Sequence, residues 1–391
     1  MALPDIIINK ANGGLGRPLA GRDYVSAFTF YSATLPAGFG ASDRIKKVFS
    51  IEEAESLGII EGSVDFGVFW YHVSEFFRIQ PQGELFIGIF AVPGGAYDFA
   101  EVTTIQDFAD GEIRQVGVFT PLQAFATTQV SALQIVLTAN ETNKKPLSAL
   151  YAADISAVTD LSTLTDLKTL DSKNVSVVIS QDGNAAGAAL YVSSTKSVTD
   201  LGAKLGAVSL ASVHESIGWV EKFKMSNGIE LDTPAFANGD LVKDISTGLQ
   251  TSLNDNAYSF LRKFVGFDGS YNNNSLTATS ATSDFATIEN NRTIDKAGRD
   301  VYVNVLPKVN GPIDLTAAGT LTEDYIAVLK ALAQKPLDDM LAAGEISARQ
   351  VIINPVQNVL ATSEVEMTIE IVPKGVSRII KIKVGFTTQL S

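Results

Sequence analysis

Short β-prone runs alternating with helical patterns most restrict how this chain can fold, because strands separated by helices wind into sheets covered on both faces. Residues 24–31 (YVSAFTFY) alternate in character and carry the β-branched and aromatic residues of a first core strand. Residues 50–57 predict a helix, with Ser50 and Glu53 as a capping box and Gly58 at the C-cap. Over 64–77 apolar and aromatic residues recur at helical spacing, and 85–92 (LFIGIFAV) is an apolar run suited to a buried strand. The alternation continues with a strand at 115–119, a helix at 129–142, a strand at 175–180 and a helix at 198–214. This middle region reads as a wound α/β layer.

Past residue 235 the pattern changes. Asn238-Gly239-Asp240 precedes a helical pattern reaching 265, followed by a hydrophilic hairpin-like piece at 271–274, a Ser/Thr-rich linker to Ser283 and a β-rich stretch at 300–306. Residues 322–343 form the clearest amphipathic helix, with Thr322 as N-cap, Glu323 and Asp324 in the first turn and Gly344 at the end. At the C-terminal end Val365, Met367, Ile369 and Ile371 alternate with Glu364, Glu366, Thr368 and Glu370. After Pro373-Lys374-Gly375, Ile380, Ile382, Val384 and Phe386 alternate with Lys381 and Lys383. The two runs predict a hairpin with one apolar face, its cross-strand Glu–Lys pairs contributing about 0.2 to 1 kcal/mol each. At the other end Asp5, Ile6, Ile7, Ile8 and Asn9 read as a short strand before a flexible segment with Gly13, Gly14 and Gly16. Two β-prone ends leave strand edges that are hazardous in a lone molecule, and strand exchange with a neighbouring copy resolves this.

Composition narrows the class. At 391 residues the chain exceeds one ordinary core, and 46% apolar with 19% charged residues suits a globular protein of two or more domains. There is no cysteine, so no disulfide or thiolate site is available. The first residues lack the basic and apolar regions of a signal peptide, and no apolar run is long enough to span a bilayer, so a soluble product is expected. A formal charge of −13, with only Arg44, Lys46 and Lys47 clustered, disfavours nucleic acid as principal ligand.

No catalytic constellation emerges. The two histidines, His72 and His214, stand far apart, and His214-Glu215 is not followed by a second histidine at Gly218. There is no G-x-S-x-G elbow for a serine nucleophile such as Ser216. Gly13-Gly14-Leu15-Gly16-Arg17 lacks the ending of a phosphate-binding loop, and Asp65-Phe66-Gly67 matches a kinase tripeptide by letters only. The pairs Asp338-Asp339 and Glu52-Glu53 read as solvated helix faces. An enzyme is not expected, and no cofactor or metal is implied.

Three stretches, taken in order, resemble contractile phage tail sheath proteins. MALPDIIINKANGGLGRP at 1–18 is similar to the start of a sheath-like family found in Mu-like elements. Residues 284–305 (DFATIENNRTIDKAGRDVYVNV) resemble the sheath stretch where a β-element runs into an Asn-Arg helix, and 365–390 resembles the last strands of sheath subunits. The resemblance implies a mixed α/β, multidomain sheath-like fold with extended arms. Its expected divisions are a linking arm (1–23), the first part of the sheath core (24–100), an outer α/β domain (101–236), a C-terminal sheath domain (237–378) and a linking strand (379–391). It further implies stacked rings or a helix of identical subunits around an inner tail tube, contracting to drive the tube through a cell envelope. The expected partners are other copies, the tube protein, and baseplate and tail terminator proteins, without nucleic acid or membrane insertion. Assembly is expected in the host cytoplasm, in the tail of a virion or a related injection particle. The linking strands would be Asp5, Ile6, Ile7, Ile8 and Asn9 with Ile380, Ile382, Val384 and Phe386. Gly13, Gly14 and Gly16 would form the hinge, and Lys330 and Lys335 would face the tube. The competing readings are another virion component (tube, capsid or baseplate) and an enzyme built on the α/β domain.

Overall fold

The computed structural model describes residues 22–120 and 123–386. β1 (Ser26–Tyr31) is buried along its whole length, as a strand covered on both faces must be. Its side chains divide by parity: Phe28 and Phe30 enter one core, Ala27 and Tyr31 the other. β1 lies parallel between β3 (Leu85–Phe90) and β4 (Gln115–Phe119), with Phe28 level with Ile87 and Gly117. A Cβ at position 117 would sit 2.7 Å from the Phe28 ring, so glycine there makes room for the phenylalanine. The sheet continues in parallel through β5 (Ser148–Ala152), β6 (Val175–Val178) and the short β9 (Tyr258–Ser259). On its other side it ends in β2 (Ile45–Val48), antiparallel to β3, giving the order β2-β3-β1-β4-β5-β6-β9. The expected boundaries after residues 100 and 236 both fall between strands of this one sheet.

Helices cover both faces. One core contains side chains of α1 (Ile51–Ser56), α2 (Gly67–Ile79) and α6 (Leu201–Leu210); the other contains those of α3 (Ala100–Phe108), α4 (Thr127–Thr142) and α7 (Thr247–Asp255). α2 and α6 pack so closely that a Cβ on Gly202 would collide with the backbone of His72. The Ser50 hydroxyl caps α1 by accepting from Glu53 N–H at 3.3 Å, while the Glu53 carboxylate reaches the Phe49 N–H at 2.8 Å. After β6 the chain enters β7 (Ser180–Asp182), paired with β8 (Pro234–Phe236), and α5 (Ala186–Ser194) follows β7. The Glu230 carboxylate accepts the first N–H groups of α5, from Ala186 and Gly187, both at 3.0 Å. β10 (Leu261–Arg262) pairs with β11 (Tyr271–Asn272).

The C-terminal layer has its own cores. α8 (Ile288–Val305) packs on α9 (Glu323–Ala342), and both rest on a two-stranded sheet of β12 (Ile346–Ile352) and β13 (Thr368–Pro373), with α10 (Val359–Thr362) between the strands in sequence. Thr322 caps α9 by accepting from Tyr325 N–H at 3.3 Å, and Gly344 ends the helix region at a φ of 75° that favours glycine.

Three expectations are corrected. The stretch 300–306 is the end of a helix: Val301, Val303 and Val305 alternate as in a strand, but Ala297, Val301 and Val305 also lie four apart, and that stripe packs into the core. The helix expected to reach 265 stops at Asp255, where Ala257 turns with a φ of 66°, and the chain goes on as β9 and β10. The terminal hairpin has a different partner. β13 pairs antiparallel with β12 and not with residues 380–386, which carry no regular structure. β12 (ISARQVI) escapes notice because its middle is exposed and polar, leaving no clear alternation.

Candidate functional site

Both ends of the described chain are rooted in the same seam, where the sheet region meets α8. Arg22 pairs with Glu84 and, at 2.7 Å, with Glu112, in the loops that lead into β3 and β4. The Asp23 carboxylate is gripped by Arg299 at 2.7 Å and Lys296 at 3.1 Å, and Lys296 also meets Glu345 at 2.6 Å. Burial works against the Asp23 carboxylate, but Lys296, Arg299 and Arg292 outweigh it and hold the carboxyl below its usual range. Arg292, buried, donates to the carbonyls of Ala211, Ser212 and Asp23. Asn291 beside it donates to Lys173, Phe285 and Thr287 carbonyls. The Asn-Arg pair thus plugs α8 onto the sheet region through backbone oxygens.

The C-terminal root is Arg378, which donates to Glu289 of α8 at 2.6 Å and to Asn274 at 3.0 Å. Beyond it the chain is exposed. Ile380, Ile382, Val384 and Phe386 are 77%, 80%, 90% and 111% exposed. Such a run of apolar side chains in water is an unfinished contact surface. Asp5, Ile6, Ile7, Ile8, Asn9, Gly13, Gly14 and Gly16 lie outside the described residues. Lys330 is partly buried and Lys335 exposed on α9, and neither makes an ion pair among the described residues. Five residues apart, they project roughly 140° from each other around the helix.

The residues examined for chemistry have structural settings. His72 is fully buried among Phe28, Phe30 and Phe119, and burial pushes its pKa down to about 3. Neither ring nitrogen has a hydrogen-bond partner among the described residues. His214 is half-buried next to the Glu215–Lys222 pair. Asp65 accepts from Thr34 just before α2, and Asp338 pairs with Arg349 at 2.6 Å. Lys204, buried in α6, pairs with Asp200 at 3.1 Å and donates to Asn272 at 2.5 Å. Among the described residues no group of His, Asp and Glu side chains is placed to hold a metal ion, and no helix is long and apolar enough to cross a membrane. Sequence reasoning missed Arg22, Asp23 and Arg378, single charges whose partners lie 62 to 276 residues away. The Asn291-Arg292 pair was visible as a motif, though not its role.

Similar folds occur among solved structures. A chain of the anti-feeding prophage (AFP) baseplate, six-fold symmetrised, matches with a TM-score of 0.62 and 15% identity over 100% of both chains. A chain of the PVC sheath complex of an extracellular contractile injection system, in its contracted state, matches with a TM-score of 0.61 and 12% identity over 100% of this chain and 98% of that one. The sheath tail protein of Listeria innocua matches with a TM-score of 0.53 and 11% identity over 90% of this chain and 96% of that one. The mixed α/β fold is therefore that of tail sheath and related injection-system proteins. No curated protein matches the chain. Two family models meet near the seam, DUF2586, N-terminal domain, over residues 3–276 and DUF2586, C-terminal domain, over 284–391, and the chain belongs to the DUF2586 family.

Proposed function

We propose that this protein is the structural subunit of a contractile tail sheath, polymerising as stacked rings or a helix around an inner tube and contracting to drive that tube through a cell envelope. The observation that carries this reading is the end-to-end likeness to a chain of a sheath complex, which includes the C-terminal layer as well as the sheet region. The exposed apolar run at Ile380, Ile382, Val384 and Phe386 supports it, since a neighbouring copy can cover that run by strand pairing. Residues 5–9 are the matching strand at the other end, and Gly13, Gly14 and Gly16 let the arm swing while main-chain hydrogen bonds persist. Lys330 and Lys335, which lie on different sides of α9, are the candidate tube contacts, with the exposed Lys335 first. The other partners are baseplate and tail terminator proteins, and the particle assembles in the host cytoplasm. Catalysis and cofactors have no part in this reading.

Electron microscopy of the full-length protein beside a variant lacking residues 1–20 tests it. Hollow striated tubes from the full-length protein alone are expected; ordered tubes from the truncated one would remove the arm linkage, and a monomer at high concentration would remove the sheath reading. A baseplate role is the second reading, favoured by the likeness to a chain of a baseplate. It predicts closed rings that do not lengthen with concentration.

A further inference from the structure

Asp200, just before α6, and Lys204, one helical turn further on, are both 0% exposed, and Asn272 of β11 beside them is 1% exposed. Lys204 Nζ donates to Asn272 Oδ1 at 2.5 Å and lies 3.1 Å from Asp200 Oδ2. A carbonyl bond of about 1.23 Å then puts Nζ within about 3.7 Å of Asn272 Cγ, close to the roughly 3 to 3.5 Å at which reacting atoms stand before a bond forms. The amide is held in that orientation, because its Nδ2 donates to the Ile217 carbonyl at 3.3 Å and so turns the oxygen towards the lysine. The carboxyl is fixed by Ser180, whose hydroxyl donates to Asp200 Oδ1 and whose carbonyl accepts the Asp200 N–H, both at 2.8 Å. Asp200 Oδ2 is near Nζ but not aligned with it as a hydrogen bond, and it has no other partner among the described residues.

We propose that the folded chain joins Lys204 to Asn272 through an isopeptide bond, an amide between Nζ and Cγ, with Asp200 passing the protons. A buried ion pair by itself needs only the carboxylate; the amide carbon within reach of Nζ is what adds chemistry. Burial disfavours both charges, pulling the Lys204 pKa down and pushing that of Asp200 up, each opposed by the charge of the other. The neutral pair is an amine with a free lone pair beside a carboxylic acid, which is an activated nucleophile next to its acid.

The atoms balance without any further reactant. Lys204 gives a proton to Asp200, and Nζ attacks Cγ. Asp200 delivers its proton to Nδ2 and takes one from Nζ, the Cγ–Nδ2 bond breaks, and ammonia leaves. A neutral amide and a protonated Asp200 replace the buried ion pair, which removes two charges from a site without water. The reacting groups stand 68 residues apart in sequence, so only the folded chain brings them together. The bond closes a loop that contains β8, α7, β9 and β10, a covalent tie in a chain that has no cysteine.

Intact-mass measurement of the full-length protein, purified folded, tests the proposal independently of any assembly. A mass short of the sequence by one ammonia is expected. Trypsin acting on the denatured protein should leave Lys204 uncut and release one branched peptide joining residues 197–222 to residues 264–292. Lys204→Arg and Asp200→Asn should both restore the full mass. Because either can weaken folding, Asn272→Asp gives a second readout: it keeps the shape of the side chain and should lose a water in place of ammonia, yielding the same branched peptide. Full mass with normal cleavage after Lys204 in the folded, unaltered protein would overturn the bond and leave Lys204 a buried ion pair. A missing ammonia traced to a linear peptide, as from Asn227-Gly228 or Asn310-Gly311, would overturn it equally.

Discussion

The sheet region and the C-terminal layer solve the same problem with unequal means. In the first, a seven-stranded sheet buries both faces, and aromatic rings such as Phe30 and Phe69, stacked at 4.3 Å, fill the core. In the second, two strands and three helices enclose two small clusters, while Val356, Leu360 and Val372 are 73%, 77% and 55% exposed. The sheet region holds the larger cores, though it too exposes apolar side chains such as Val64 and Val192. The C-terminal layer ends in a run of exposed apolar side chains from Ile379 to Phe386, and under the proposed sheath role that is where an interface belongs.

The contrast can be broken in four ways, of decreasing size. Phe30→Ala should cost about 3 to 5 kcal/mol, because a large ring leaves a packed core that cannot collapse around the gap. Chemical denaturation measures it; a loss under 1 kcal/mol would mean the sheet core is loosely packed. Acid is next. His72 sits near 3 in the folded chain against about 6.5 unfolded, so its contribution is full above 6.5 and lost as pH falls towards 3, amounting to about 3 kcal/mol by pH 4. His72→Leu should flatten that part of the stability–pH curve, and an unchanged slope would assign acid sensitivity elsewhere.

Leu337→Ala in the C-terminal layer should cost about 2 to 3 kcal/mol, towards the low end for such a change, because its partners Val305 and Ile369 are only partly buried. Hydrogen exchange should then accelerate in α8, α9, β12 and β13 and not in β1 or β4; acceleration in both would make the two regions one cooperative unit. The smallest effect on stability is expected from Ile380→Glu with Ile382→Glu, under about 0.5 kcal/mol, since both side chains already face water. The same pair should abolish tube formation under the microscope, and unaltered tubes would strip the run of its linking role.

What could be read from the sequence follows the same division. β1, β3, β4 and β6 were legible because strands buried on both faces show as continuous apolar or aromatic runs, and α9 was legible because Thr322 and Gly344 punctuate it. The C-terminal layer was misread where periodicities coincide. Val301, Val303 and Val305 suit a strand as well as a helix, and Ile369 and Ile371 find their partners in a polar-centred strand upstream instead of in the run after Gly375. The exposed row at Ile380 to Phe386 was legible as apolar alternation, but nothing within this chain pairs with it among the described residues. The seam was the hardest to see, since an ion pair between Asp23 and Arg299 leaves no periodic trace.

One helix sets how force passes through the molecule. The N-terminal segment is fastened to α8 at Lys296 and Arg299, and the C-terminal one at Glu289. Ten residues of α-helix separate Glu289 from Arg299, about 15 Å along its axis. Tension applied to one tail reaches the other through that short rod of axial hydrogen bonds, while Arg22, paired with Glu84 and Glu112, shares part of the load with the sheet.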